Sequence, residues 1–158
     1  QKEREQMTKA ISAATKEQER IRELLQKDED FGIPNPSRND IIRYRLYEEL
    51  KGNGYKALYS DIYIPREKLF SKEIDIEHII PQARLFDDSF SNKTLEYRDV
   101  NIKKGKQTAY DFVRETYGEE GLKRYLSVCT SLFSQQKTKL KKLKHQQKRN
   151  NTVWGYYI

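Results

Sequence analysis

Hydrophobic and polar positions divide the first third of the chain into two predicted helices. Apolar residues recur at intervals of three and four positions in residues 1–28, which is the spacing of an amphipathic helix. The same spacing returns after Ser37 and continues to about Lys51. Ser37 and Asp40 have the separation of a helix capping box, and a segment rich in Gly and Pro precedes them. The pattern therefore predicts two helices joined by a short break.

The hydrophobic pattern changes in the middle of the chain, from Glu73 to Asn101. Ile74 and Ile76 alternate with acidic residues, as expected for a strand with one buried face. Pro81 opposes further pairing, because proline lacks a backbone N–H group. Lys93 to Tyr97 favours a second strand after an intervening loop. This strand, loop and strand would bring an acid, an imidazole and an amide toward each other.

The segments around this β region are predicted to be short connections and helices. Tyr55 to Ile64 could hold one short strand pair, and Ile102 to Gln107 is expected to form a basic turn. Thr108 can cap the next helix, which would lie against the two strands, complete a ββα unit and end at Gly118. A further helix is predicted from Glu119 to about Lys148.

Composition limits the classes of protein to which the chain can belong. Its 158 residues fit one domain, and an apolar content of only 35% predicts a small core. The net charge of +7 and the isoelectric point of about 9.3 indicate a polyanionic partner. The single cysteine, Cys129, excludes an internal disulfide and a CxxC zinc pair, and is interpreted as a core residue. We expect a monomer with no membrane-spanning segment.

Glu77, His78 and Asn101 form a candidate set for one-metal hydrolysis of a phosphodiester. Mg²⁺ prefers oxygen ligands, which the carboxylate of Glu77 and the amide of Asn101 can supply. Histidine titrates near neutrality and can accept a proton from an attacking water. A regular strand would put His78 and Glu77 on opposite faces, so this site requires the strand to end or kink there. For a lone acid–histidine pair, a structural histidine is the alternative.

Two basic segments are candidates for contact with nucleic acid. Lys103, Lys104 and Lys106 directly follow Asn101 and could bind the phosphate backbone, although a solvated turn would have the same composition. The run 137–149 contains no acid, and it could be a nucleic-acid contact, a connector to another domain or a solvated helix end. His145 lies inside this run, and we expect it to be exposed to solvent.

Three sequence motifs carry a resemblance to a known family. The motifs IEHIIPQ, DDSFSNKTL and RDVNIKKGK resemble the HNH, or ββα-metal, nuclease motif, and in particular the HNH domain of CRISPR type II RNA-guided effector nucleases. The resemblance implies that His78 is the general base and that Glu77 and Asn101 bind Mg²⁺, for which Mn²⁺ would substitute. It also implies that Asn92 fixes the loop and that Asp75 supports the metal ligands. Many relatives have Asp in place of Glu77, which changes the reach of the ligand but not its type.

The resemblance implies an α+β fold that is mostly helical, with a short two-stranded antiparallel sheet in a ββα-metal core. It divides the chain into a helical connector (1–30), the HNH nuclease domain (31–135) and a basic C-terminal helix and connector (136–158). The implied substrate is the target DNA strand paired with guide RNA. The implied partners are the RuvC-like and guide-binding domains of a parent protein, acting in antiviral defence in the bacterial cytoplasm. Gln1 in place of Met also suggests a fragment.

Two alternatives to this reading remain open. The first is a free-standing HNH homing or restriction nuclease, which residues 1–50 disfavour because they too resemble the RNA-guided effectors. The second is a non-catalytic basic module, which would bind nucleic acid without divalent metal and would be insensitive to changes at Glu77, His78 and Asn101.

Overall fold

The computed structural model of the chain describes residues 1–147. The fold within these residues is mostly helical with one antiparallel pair of strands, which confirms the predicted α+β class. The elements, in chain order, are α1 (Lys2–Lys27), α2 (Arg38–Glu49), β1 (Ile74–His78), β2 (Lys93–Tyr97), α3 (Arg98–Lys104), α4 (Ala109–Phe133) and α5 (Lys137–Leu143). No helix in the described part of the chain is both long and apolar enough to cross a membrane.

The N-terminal helices form as the hydrophobic pattern predicts. Ser37 caps α2, because its hydroxyl accepts from the Asp40 N–H at 3.1 Å while the Asp40 carboxylate accepts from the Ser37 N–H at 2.9 Å. Only the C-terminal half of α1 joins the core, through Ile21 and Leu25. Its first half leaves Met7 and the neighbouring apolar positions exposed.

The two strands form an antiparallel ribbon whose register is set between its ends. Ile74 pairs with Tyr97 at one end, and His78 pairs with Lys93 at the other. The strand therefore ends at His78, as the candidate site requires. The segment Tyr55–Ile64, where a short strand pair was predicted, contains only a single bridge between Lys56 and Tyr63 among its described contacts.

Helix α3 replaces the predicted basic turn and completes the ββα unit. It begins directly after β2 and lies against both strands. The prediction that the Thr108-capped helix would lie there was wrong. The inward side of α3 carries Val100 and Lys104, and a lysine at a core position is invisible to a hydrophobic pattern. Gly105 ends the helix with φ of 55°, a conformation that favours glycine.

The C-terminal helices differ from the single predicted helix over 119–148. Thr108 caps α4, and Gly118 interrupts it with φ of 73°, at the predicted break. The chain then leaves the helix at Ser134 and begins α5 at Lys137, so the predicted helix is interrupted. The C-terminal segment 148–158, including the end of the basic run, lies outside the described residues.

One hydrophobic core joins all the helices except α3's exposed side to the ribbon. It extends from Ile21 of α1 to Leu143 of α5, so the chain ends that are described pack on the central ββα unit. Cys129 lies in this core as predicted, and burial raises the pKa of its thiol to about 12. His145 is exposed, also as predicted. The domain limits given above stay a prediction.

Candidate active site

His78 lies at the end of β1 and directs its ring toward the loop between the strands. Its Nε2 lies 2.9 Å from Asp88 Oδ1, and the Lys93 ammonium lies 3.3 Å from the same oxygen. The hydrogen bonds from His78 and Lys93 hold the pKa of Asp88 below its ordinary value. Asp88 was expected only as a turn former. The two acids before Ser89 were the available signal, but the sequence does not say which one meets the histidine.

Asn92 holds the loop through hydrogen bonds to the chain just after His78. Its amide is buried, accepts from the Ile80 N–H at 2.9 Å, and donates to the Ile80 carbonyl at 3.0 Å and the Asp87 carbonyl at 2.8 Å. The Asn92 carbonyl also accepts from the Ile79 N–H at 2.8 Å. The amide is therefore fully engaged in positioning the loop, and it touches no group that could react.

Helix α5 braces the same loop from outside. The Lys142 ammonium lies 2.6 Å from Asp87 Oδ2 and 2.6 Å from Ser91 Oγ. Lys139 is buried, lies 2.5 Å from Glu49 Oε1 and donates to the Lys93 carbonyl at 2.7 Å. These two lysines of the basic run are therefore used inside the protein rather than presented to solvent.

Glu77 points away from His78 and into the core. Its Oε1 lies 2.7 Å from the Lys104 ammonium, and its Oε2 accepts from the Tyr59 hydroxyl at 2.5 Å. Burial raises the pKa of Glu77, and the Lys104 charge and both hydrogen bonds oppose that rise. Lys104 also donates to the His78 carbonyl at 3.0 Å. The structure thus differs from the predicted phosphate contact at Lys104, which is 1% exposed.

Asn101 meets Asp75 rather than Glu77. Its Nδ2 lies 3.1 Å from Asp75 Oδ2, and Arg98 Nε lies 3.1 Å from the other oxygen of the same carboxylate. Asn101 is half-buried on α3, and the Lys103 side chain that follows it is exposed. Lys106 is exposed too, so these two lysines of the predicted phosphate contact are accessible.

The oxygen donors on this side of the ribbon are of the type that Mg²⁺ binds. Asp75 and Glu77 project from one face of β1, and Asn101 approaches them from α3. Within residues 1–147, no group of three or more His, Cys, Asp and Glu side chains forms a metal cage. Mg²⁺ does not require one, because it commonly binds one or two carboxylates and takes its other ligands from water and phosphate. The donor set therefore fits this ion.

Glu96 is a buried acid that the sequence pattern did not single out. It is fully buried opposite Asp75 in the ribbon and accepts hydrogen bonds from the Ser60 N–H, the Ser60 hydroxyl and the Tyr97 N–H. Burial raises the pKa of its carboxyl to about 7, against the effect of these donors. Glu96 lies in the strand at a position where an alternating pattern gives no sign of burial.

Comparison with known proteins identifies the segment that contains these residues. Residues 57–110 match the model of the HNH endonuclease family. The chain is 36% identical over 73 residues to the CRISPR-associated endonuclease Cas9 of Staphylococcus aureus, covering 45% of this chain and 7% of that protein. It is 33% identical over 99 residues to the Cas9 of Campylobacter jejuni, covering 60% of this chain and 9% of that protein. The chain thus spans less than a tenth of the length of these relatives.

Solved structures share the fold over almost the whole chain. A crystal structure of Streptococcus thermophilus Cas9 in complex with the AGAA PAM superimposes with a TM-score of 0.69 at 19% identity, covering 93% of this chain and 15% of that one. A structure of the same protein with the GGAA PAM gives a TM-score of 0.70 at 20% identity, covering 92% of this chain and 15% of that one. The chain therefore carries an HNH endonuclease domain similar to those of CRISPR-associated Cas9 endonucleases.

Proposed function

We propose that this domain hydrolyses a phosphodiester bond in the DNA strand that is paired with guide RNA, as part of a larger RNA-guided nuclease. One observation carries the proposal: within the segment that matches the HNH endonuclease model, His78 ends β1 with its ring held by Asp88. In such a nuclease, base pairing with the guide selects the sequence, and the protein contacts the heteroduplex through its shape and backbone.

His78 is the general base in this proposal. An ionised carboxylate can only accept a hydrogen bond, so Nε2 carries the hydrogen in the contact with Asp88. Nδ1 is then the unprotonated nitrogen and accepts the proton of the attacking water. Asp88 is a positioning residue, because it fixes the orientation and the tautomer of the ring and stabilises the imidazolium that forms.

Asp75, Glu77 and Asn101 are the candidate ligands of a divalent cation. When bound, such an ion supplies positive charge that stabilises the phosphate and the leaving oxygen. Asp75 and Asn101 are already in contact, whereas Glu77 would have to release Lys104 before its carboxylate could bind a cation. The contacts therefore add Asp75 to the pair of ligands that the resemblance implies.

The proposal is tested by cleavage of labelled DNA, single-stranded and paired with RNA, in the presence of Mg²⁺ or Mn²⁺. We expect metal-dependent cutting that a chelator stops and that His78→Ala abolishes. His145→Ala is the matched control, because it removes the other histidine, which is exposed, and should cut like the unmodified chain. Cutting that survives in His78→Ala would contradict the role of His78.

The metal ligands are tested by titrating Mn²⁺ into the chain and measuring binding by calorimetry. Asn101→Ala should weaken binding, because it removes the amide oxygen that both candidate carboxylates would share. If Asp75→Ala weakens binding and Glu77→Gln does not, Asp75 is the carboxylate ligand; the reverse result would assign the ion to Glu77. Nucleic-acid binding that needs no metal, together with absence of cutting in the parent complex, would favour the non-catalytic module.

A further inference from the structure

A basic cleft opens beside the contact between His78 and Asp88. It has a volume of about 460 Å³ and lies between α1, α2 and the segment that leads into β2. Its cationic lining residues are Arg22, Arg38, Arg45 and Lys93, whereas Asp88 is the one acid among the residues that line it. The cleft therefore carries an excess of positive charge directly next to the candidate general base.

The arginines of the cleft keep their charges largely uncompensated. Lys93 pairs with Asp88, so each largely neutralises the other. Neither Arg38 nor Arg45 forms an ion pair within residues 1–147. Arg22 has only a distant pair with Glu19, at 3.8 Å, on the exposed surface of α1. An anionic ligand would therefore not have to displace a strong internal partner.

The cleft is also partly preorganised. The Arg45 guanidinium lies 4.0 Å from the centroid of the Phe90 ring, and this contact restricts its side chain. Arg22 donates to the Pro36 carbonyl at 3.1 Å, which ties it to the start of α2. Guanidinium groups suit phosphate because their planar donors match its oxygens in pairs, and binding of this kind carries no base preference.

We propose that this cleft binds the sugar-phosphate backbone of the DNA strand that is cut, next to the scissile phosphate. The inference rests on the proposed function and adds a substrate-binding surface to it. Arg22, Arg38 and Arg45 contact successive phosphates, and the strand then passes the Asp88 edge of the cleft to reach His78.

The test measures DNA affinity apart from cleavage. All variants are made in a His78→Ala background, and binding to a fluorescent RNA–DNA heteroduplex of about 20 base pairs is followed by anisotropy over a range of salt concentrations. The cleft variant is Arg38→Gln with Arg45→Gln. The control, Arg4→Gln with Lys123→Gln, removes the same charge from exposed positions outside the cleft. Arg4 precedes Gln18 on α1 by 14 residues, or about 21 Å, well beyond the Debye length of about 10 Å in 0.1 M salt.

We expect the slope of log K against log salt to fall by about 0.7 to 0.9 for each lost phosphate contact in the cleft variant. The control should keep the slope of its parent. Equal slopes in the two variants would overturn the proposal, as would displacement of DNA by polyglutamate from the control but not from the cleft variant, which would assign the cleft to an acidic protein. Arg38→Gln alone, at an exposed position, should show half of the effect, so misfolding at Arg45 cannot produce the expected result.

Cleavage by the unmodified chain is scored in parallel and separates the two proposals. A salt slope that falls only in the cleft variant supports the binding site even if no cutting occurs. Cutting that depends on His78, with the same slope in both variants, supports the nuclease and overturns the cleft.

Discussion

The Lys104 ammonium lies 2.7 Å from Glu77 Oε1, and both side chains are buried. This ion pair joins α3 to β1 inside the ββα unit, and the same ammonium donates to the His78 carbonyl. The backbone of the candidate general base is therefore held by a lysine that lies 26 positions later in the chain. A buried pair of this kind is costly to break, because removal of one partner leaves an uncompensated charge in the core.

We predict that Lys104→Met lowers the free energy of unfolding by about 3 to 5 kcal/mol, the range for breaking a buried ion pair. Urea unfolding followed by circular dichroism measures the change. Lys103→Met is the matched control, because its neighbouring side chain is exposed, and it should change stability by less than about 0.5 kcal/mol. Adding Glu77→Gln to Lys104→Met should recover part of the loss. Equal stability of the Lys104 and Lys103 variants would refute the buried pair.

Asp88 is predicted to affect catalysis rather than folding. Its carboxylate is exposed, so Asp88→Ala should leave the unfolding midpoint nearly unchanged. The variant should lower kcat for DNA cleavage about tenfold to a hundredfold, because a misoriented base reacts slowly. KM should not rise, since the change removes a negative charge next to the basic cleft. Asp88→Asn keeps an acceptor for Nε2 and should lose less activity.

The control for Asp88 is Asp30→Ala, which removes another exposed carboxylate, at the end of the N-terminal helical region. Its cleavage rate should match that of the unmodified chain. If Asp88→Ala also cleaves at the unmodified rate, the contact with His78 has no part in the reaction.

The ribbon could be predicted from the sequence because its pattern is local. Ile74 and Ile76 alternate with acids, and Pro81 ends the pairing within a few residues. Helix α3 escaped prediction for two physical reasons. It has no side-chain cap at Tyr97, and its inward side holds a lysine that is buried only because Glu77 neutralises it. Neither fact can be read from hydrophobic spacing.

The candidate site was predictable in its composition but not in its pairing. The motif identifies the side chains, whereas the geometry of α3 decides which of them meet. Asn101 and Lys104 are three residues apart on the helix, or about 4.5 Å, and they contact Asp75 and Glu77, about 6.6 Å apart along the strand. The sequence gives no rule for this alignment, so the meeting of Asn101 with Asp75 was not foreseen.

Asn92 is predicted to be a stability determinant of the loop. Asn92→Ala removes three hydrogen bonds of a buried amide and leaves the Ile80 N–H without its acceptor. We expect a loss of about 3 kcal/mol in the free energy of unfolding, because unsatisfied buried groups cost about 1 to 3 kcal/mol each. Thermal unfolding measures the change. Asn39→Ala, at an exposed position of α2, is the control and should have little effect. Matching thermal midpoints in the two variants would contradict the buried network.

The pH dependence of stability should report on Glu96. Burial raises the pKa of its carboxyl from 4.5 to about 7 in the folded protein, so between these values the folded state keeps a proton that the unfolded state has lost. The free energy of unfolding must then decrease as pH rises from about 4.5 to about 7, by up to about 3 kcal/mol from this group. Above pH 7 both states are ionised, and the contribution becomes constant.

Glu96→Gln removes this titration, so the decrease between pH 4.5 and 7 should become smaller in the variant by up to about 3 kcal/mol. Urea unfolding at a series of pH values measures the slope, which is informative even if the amide fits the site less well than the carboxyl and lowers stability at every pH. Glu119→Gln, at an exposed position of α4, should keep the slope of the unmodified chain. A slope in Glu96→Gln as steep as that of the control would mean that Glu96 titrates in the folded protein as it does in the unfolded chain. The three hydrogen bonds it accepts from Ser60 and Tyr97 would then outweigh its burial.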